Sequence, residues 1–203
     1  MEAKLFDGPV AEVSTLGFHW DRERAPHLEQ DAHRGRLDKA FELVRAAARS
    51  RVPNSGDQAV VVDLGCGDGG LLSLLYDLPH VRAHGYDFQP SNVTGWVERG
   101  VSAQAVNFVE ALPEILATQP DIVVMTEVLE HLTDPHGVLR QVRASGADLV
   151  CSSPWTETYA SHDACHAWAW DRDGYAALVT GAGFEIADHV TVSMFQVILA
   201  VSA

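Results

Sequence analysis

Residues 60–70 read VVVDLGCGDGG, and this stretch decides the fold. Val60, Val61 and Val62 are consecutive and β-branched, the pattern of a strand buried on both faces. Asp63 stands at the carboxyl end of that strand, and Gly65, Gly67, Gly69 and Gly70 follow it. Glycines gather where a chain turns sharply and another group comes within contact distance of the backbone. The next residues, LLSLLYDL, have the apolar content of a helix. Its first amides have no partner inside the helix and face back toward the turn. Strand, glycine turn and helix in this order mark the first βα unit of a parallel α/β sheet, with a ligand expected against the turn.

Gly65, Gly67 and Gly70 also fit the G-x-G-x-x-G spacing of a dinucleotide fold. The acids argue for a different ligand. Asp63 before the turn and Asp68 within it would repel a pyrophosphate, which is held by amides and a helix dipole without nearby anions. A ligand bearing an ammonium and a sulfonium is the better electrostatic match. The run D-x-G-x-G-x-G at Asp63, Gly65, Gly67 and Gly69 resembles the first motif of the class I S-adenosylmethionine (SAM) methyltransferases. That resemblance implies that Asp63, Gly65, Cys66, Gly67 and Gly69 lie against SAM.

Bulk properties narrow the class. A chain of 203 residues, 47% hydrophobic and 21% charged, has the length and composition of a folded domain and not of a disordered segment. The start, MEAKLFDGPVAEV, has no apolar signal core, and no stretch approaches 18 uninterrupted apolar residues, so a cytoplasmic protein without a membrane span is expected. Cys66, Cys151 and Cys165 are an odd count without a C-x-x-C pair, which fits reduced thiols. Residues 1–52 hold nine basic and nine acidic side chains. Residues 53–203 hold five arginines against nineteen acids, so the whole net charge of −14 falls there. Nucleic-acid binding draws on phosphate neutralisation by Lys and Arg, and this body has almost none to offer. A small-molecule acceptor is therefore expected, with nucleic acid and anionic membranes disfavoured.

Residues 28–49 read as a helix, because Leu37, Ala40, Phe41, Val44, Ala47 and Ala48 recur at helical spacing. Gly35 weakens its first half, and residues 48–58 read as a linker. We divide the chain into an N-terminal helical cap or lid, 1–52, and a core, 53–203, within one structural domain. Strands are expected at 59–64, 82–87, 102–106, 121–126, 147–152, 184–192 and 195–202. Helices are expected at 69–77, 91–99, 110–117, 135–144 and 172–182. This alternation predicts an α/β, Rossmann-like, seven-stranded and mostly parallel sheet with helices on both faces. A few residues separate the last two strands, which predicts a C-terminal antiparallel hairpin. The same order resembles the class I methyltransferase core over about residues 55–203.

Ligands of open α/β sheets lie beyond the carboxyl ends of the strands. The second strand ends in Asp87, twenty residues after Gly67, where an acid can accept from ribose hydroxyls. Phe88 follows and can lie against an adenine face. After the third strand, Asn107 has the donor and acceptor for an adenine edge, with the backbone of Phe108 beside it.

The fourth strand runs into EVLEHLTDPHGVL, with Thr126 and Glu127 at its end and Asp134-Pro135 as an N-cap and first-turn pair. On a helical turn Glu127, Glu130 and His131 would share a face. Two carboxylates and an imidazole suit Mg²⁺, Mn²⁺ or Zn²⁺, with His166 or His162 available as a further ligand. EVLEHL resembles the ubiquinone-pathway O-methyltransferases. E-x-x-E-H with a later His in the run His166–Trp170 resembles the small-RNA 2′-O-methyltransferases, and implies Glu127, Glu130, His131 and His166 as metal ligands. The alternatives are His131 or His166 as a metal-free base with Glu127 and Glu130 in support, or structural histidines. Transfer from a sulfonium asks mainly for positioning and for removal of the acceptor's proton, which favours an oxygen acceptor here. The segment containing Phe18, His19 and Trp20 is expected over the pocket, Arg34 or Arg36 near the SAM carboxylate, and Trp155, Trp168 and Trp170 as an aromatic wall. The expected function is SAM-dependent methylation of a small molecule, at oxygen. Its rivals are a metal-dependent RNA 2′-O-methyltransferase and a non-catalytic SAM-binding partner subunit.

Overall fold

The computed structural model describes residues 4–5, 19–52, 56–158 and 161–202. Seven strands form the main sheet: β2 (Ala59–Leu64), β3 (Val81–Asp87), β4 (Ala103–Ala105), β5 (Ile122–Thr126), β6 (Asp148–Pro154), β8 (Glu185–Val192) and β9 (Phe195–Val201). Among the described residues, the helices that accompany them are α1 (Asp31–Arg51), α2 (Gly70–Tyr76), α3 (Asn92–Arg99), α4 (Phe108–Leu116), α5 (Pro135–Ala144) and α6 (Arg172–Gly181). The strand order is β4-β3-β2-β5-β6-β9-β8. β2 pairs in parallel with both β3 and β5, while β9 runs antiparallel to β6 and β8. The expected Rossmann-like sheet with its terminal hairpin is what the chain forms. A two-stranded sheet that the sequence did not suggest pairs β1 (Lys4–Leu5) with β7 (Trp168–Ala169).

β2 shows why the central strands are apolar throughout. Val61 joins one buried cluster with Leu37, Val44 and Leu71, while Val62 and Leu64 join another with Leu112, Leu139 and Leu178. Thus α1 and α2 cover one face, and α4, α5 and α6 the other. α1 is consequently a layer of the core. It also continues through Arg51, so the expected linker begins only after the helix. Gly35 sits inside α1 where a Cβ would stand 3.0 Å from Val192 Cγ1, so the glycine lets the helix approach the hairpin. Asp134 caps α5 by accepting from Gly137 N–H, with Pro135 at the first position, as the sequence predicts. Among the described residues no helix is long and apolar enough to cross a membrane.

The strands after β2 are added first on one side, as β3 and β4, and then on the other, as β5 and β6. The chain reverses direction of growth between β2 and β5. A cleft opens there beyond the strand ends, and in such sheets it is the place for a ligand.

Candidate active site

A cavity of about 1090 Å³ occupies this switch point. Gly65, with φ of 75°, begins the β2–α2 loop; a Cβ there would stand 2.5 Å from Val128 Cγ2. Gly67 N–H donates to Asp87 Oδ2 at 2.9 Å, tying the loop to the end of β3. Asp87 Oδ1 accepts from Gln89 N–H at 2.8 Å and from Asn92 at 3.2 Å. Three donors hold this carboxylate in place, and an ionised carboxylate has room for about one more.

Of the expected SAM-side residues, Asp63, Gly65, Cys66, Gly67, Asp87, Phe88, Asn107, Phe108 and Thr126 line the cavity. Gly69 does not. Its φ is 83° and its open side meets Val101 Cγ2 at 2.7 Å, so it serves the packing of the α3 end against the loop. Asn107 reaches the cavity while its side chain caps α4, accepting from Val109 N–H and donating to Glu110. Asp68 departs from the expectation placed on its charge. Arg99 donates to it at 2.8 Å and Arg24 at 3.2 Å, so two guanidiniums neutralise this acid. The electrostatic choice of ligand therefore rests on Asp63 and Asp87.

Asp63 is 1% exposed, and its Oδ1 has no hydrogen-bond partner. Burial pushes its carboxyl up to about 7, with Asp87 adding to the rise and Arg36 opposing it. Arg36 projects from α1 into the same cavity, also 1% exposed, with Nε and Nη1 unpartnered and its guanidinium 5.1 Å from the Phe195 ring centre. Leaving both charges unsatisfied in the interior is costly. One ligand end bearing an ammonium and a carboxylate would satisfy both. Arg34, the other expected candidate, lies outside the cavity and pairs with Asp38.

At the opposite wall β5 ends in Thr126, and Glu127 adopts a left-handed φ of 58°, a strained conformation for a residue with a side chain. Glu127 N–H donates to the Ser152 carbonyl, and Ser152 Oγ donates to Glu127 Oε1 at 2.9 Å. Residues Leu129–His131 form a 3₁₀ turn instead of the α-helical turn that would align Glu127, Glu130 and His131. Glu130 consequently leaves the cavity. It is 1% exposed with both carboxylate oxygens unpartnered, and burial together with Glu127 raises its carboxyl well above the usual range.

His131 and His166 do reach the cavity, their ring centres 4.7 Å apart, and His19 stands edge-on to His131 at 4.7 Å. His131 Nδ1–H donates to the Cys165 carbonyl at 3.1 Å. His166 Nδ1–H donates to Glu157 Oε2 at 2.7 Å. Burial, with His166 and His19 adding, lowers His131 to about 3, and burial with Arg22 lowers His19 to about 4. Both rings are therefore neutral at pH 7. Glu157, Asp163, Cys165, His27 and His33 line the cavity too, and the sequence reading did not single them out. Their only signal was proximity in sequence to His166 or to the helix bearing Arg36.

The three expected wall residues, and Trp20 of the expected covering segment, do not line the cavity. Trp168 and Trp170 stack on each other at 5.8 Å, and Trp168 Nε1–H donates to the Leu132 carbonyl. Trp155 donates to the Ser193 carbonyl and is 37% exposed, and Trp20 is 56% exposed. Nor does His162 line it; its Nδ1 lies 2.8 Å from the Asp163 carbonyl. Phe18 lies outside the described residues.

The fold and the cavity at its switch point are those of the class I SAM-dependent methyltransferases. Residues 32–189 match the model of a methyltransferase domain, and the chain belongs to that family. No curated protein sequence matches it. Among solved structures it is similar to the N-methyltransferase NodS from Bradyrhizobium japonicum with bound S-adenosylhomocysteine, at TM-score 0.63, 17% identity and coverage of 97% of this chain and 100% of the other. It is also similar to magnesium protoporphyrin IX methyltransferase from Synechocystis with bound SAM, at TM-score 0.60, 16% identity and coverage of 94% and 93%. An O-methyltransferase family 2 protein from Planctomyces limnophilus, in complex with apigenin, gives TM-score 0.58 and 17% identity over 87% of this chain and 64% of the other.

Proposed function

We propose that the protein transfers a methyl group from SAM to an oxygen of a small molecule. The observation that carries this reading is the unsatisfied pair of Asp63 and Arg36 on one wall of the cavity, with His131 and His166 on the other. Asp63 would take the ammonium and Arg36 the carboxylate of the donor's amino-acid end. Asp87 would accept from the ribose, with Phe88, Asn107 and Phe108 along the adenine and Gly65, Cys66, Gly67 and Thr126 around the rest. When bound, SAM supplies an electrophilic methyl on a sulfonium.

The chain's own task is then to orient the acceptor and take its proton. In both His131 and His166 the Nδ1 side of the ring is engaged, which leaves Nε2 as the nitrogen available to an acceptor. His131, His166 and Glu127 are the groups proposed to act on the acceptor. General-base help contributes about 10²–10⁴-fold where the base's pKa lies near the working pH. The His131 ring, lowered to about 3, suits orienting the acceptor, and the proton falls to His166 or to Glu127, whose carboxyl is raised by burial. The acidic body supports a small acceptor over a polyanion. Among similar folds, one is a magnesium protoporphyrin IX methyltransferase and another was crystallised in complex with apigenin, which is in keeping with a small-molecule acceptor.

Incubation with methyl-labelled SAM and a fractionated extract of the source organism tests the reading. Label should enter the small-molecule fraction and disappear in the His131→Ala variant. Label entering RNA would replace this reading with 2′-O-methylation of RNA. Retained SAM binding with no transfer to any fraction would replace it with a non-catalytic binding subunit.

A further inference from the structure

The residues Glu127, Glu130, His131 and His166 suggest a metal set by their order in the chain, yet folding has brought a different trio together. We propose that His131, Cys165 and His166 form a three-ligand site for a zinc-like divalent cation, leaving one position open to water or to an acceptor oxygen. The ligating atoms of these three residues lie within 4.8 Å of one another, and theirs is the one such group among the described residues. Tetrahedral zinc holds nitrogen at about 2.0–2.1 Å and sulfur at about 2.3 Å, which places donors roughly 3.5 Å apart. Binding therefore requires the three side chains to draw in around the ion.

Three further observations support the assignment. First, each histidine already has the outer partner that a metal-bound imidazole needs. His131 Nδ1–H is held by the Cys165 carbonyl, and His166 Nδ1–H by the Glu157 carboxylate at 2.7 Å. Such contacts orient a metal-bound imidazole, and a carboxylate–imidazole pair raises ligand basicity. Second, the donor set is chemically selective. One thiolate and two imidazoles suit zinc, whereas Mg²⁺ prefers an all-oxygen shell. Third, all three residues line the cavity, so an ion has a route in and an acceptor can reach it. Glu130, with its buried side chain outside the cavity, takes no part.

Binding converts the Cys165 thiol to a thiolate and releases its proton to solvent. This role rests on the methyltransferase reading above, with His131 and His166 now serving as ligands in place of acting directly on the acceptor: an acceptor hydroxyl held at the open position loses its proton to water. Its oxygen then forms the bond to the methyl as the sulfonium C–S bond breaks.

Titration of the metal-stripped full-length protein with Co²⁺ and Zn²⁺ tests the site without any methyl transfer. About one equivalent of Co²⁺ should bind, giving a thiolate-to-cobalt charge-transfer band that Zn²⁺ displaces. Cys165→Ser should abolish the band, and Glu130→Gln should leave it intact. Glu157→Gln should weaken Zn²⁺ binding by about 10–100-fold. It covers the case in which the Cys165 variant does not fold, which SAM titration of each variant reveals. A protein that gives no band, a band that persists in folded Cys165→Ser, or one lost in folded Glu130→Gln overturns the proposal. Because the readout is spectroscopic, its failure leaves the methyltransferase reading standing, and failure of methyl transfer leaves the metal site standing.

Discussion

Asp63 and Arg36 are buried charges with unsatisfied atoms, and each makes a separable prediction. Replacing Arg36 with Met should weaken SAM binding by about 10–100-fold, the worth of about 1.5–3 kcal/mol for hydrogen bonds to a charged group. The ligand-free protein should lose less in stability than in binding, because two of the guanidinium nitrogens have no hydrogen-bond partner and only its attraction for the buried carboxyls is lost. Calorimetry and thermal denaturation of the same variant separate these effects; a matching loss of stability would mark Arg36 as a structural residue. Asp63 sets the pH dependence. Its carboxyl titrates near 7 in the ligand-free protein, and a ligand ammonium favours the ionised form. Below about pH 7 a proton must leave on binding, so affinity should fall by up to about tenfold per pH unit there and stay level above it. Titrations from about pH 5.5 to about 8.5 in buffers of different ionisation enthalpy would show both the slope and the released proton. Asp63 was legible from its place between a valine run and a glycine turn. Its partner was not fully so: Arg34 and Arg36 are two residues apart on one helix, and only packing shows which of them is buried. Asp68 was misleading for a similar reason, since its neutralising arginines lie 44 and 31 residues away in the chain.

The elements carry those charges to the site, and their boundaries were the most readable part of the chain. The span of α5 was read as it stands because Asp134 and Pro135 supply a cap and a first-turn residue. The turn after β5 was harder. A helical reading of E-x-x-E-H puts three side chains on one face, but the left-handed Glu127 and the 3₁₀ turn send Glu130 into the core. No local signal marks that change. The segment leading to α1 is secured by charge: Arg99 joins Glu29 and Asp68, Arg24 joins Asp68 and Glu98, and Ser91 Oγ–H donates to the Arg22 carbonyl. Arg99→Ala would leave the 3% exposed Asp68 carboxylate short of one partner. It should destabilise the protein by about 2–3 kcal/mol and loosen this segment over the cofactor end of the cavity. Chemical denaturation checks the first effect, and faster amide exchange over residues 22–30 the second. The glycine loop gives a sharper test. Gly65→Ala forces a side chain into a left-handed conformation, costing about 1–2 kcal/mol before the contact with Val128 is counted. A lower Tm and weaker SAM binding should follow together.

For the whole molecule, charge and topology say different things. The topology opens a cleft at the reversal between β2 and β5, and it was foreseeable from the strand–helix alternation. The charge speaks to the partner. With a net −14 carried beyond residue 52, a large RNA has no extended basic surface to follow. An excess of unstructured RNA at low ionic strength should therefore leave methyl transfer to a small acceptor unchanged, and strong inhibition there would contradict that view. The acceptor's identity was not legible, because the walls that meet it come from segments far apart in sequence: His19, the turn at His131, and the stretch from Glu157 to His166. The three tryptophans nearest that stretch were expected there, yet two of them stack in the interior. The central claim is that the cleft binds SAM through carboxylates at the ends of β2 and β3. Calorimetric titration of the ligand-free protein with SAM tests it most directly. The account predicts one equivalent bound in the wild type and binding abolished or severely weakened in Asp87→Ala; a wild-type protein that takes up no SAM, or an Asp87→Ala variant that binds it unchanged, would contradict it.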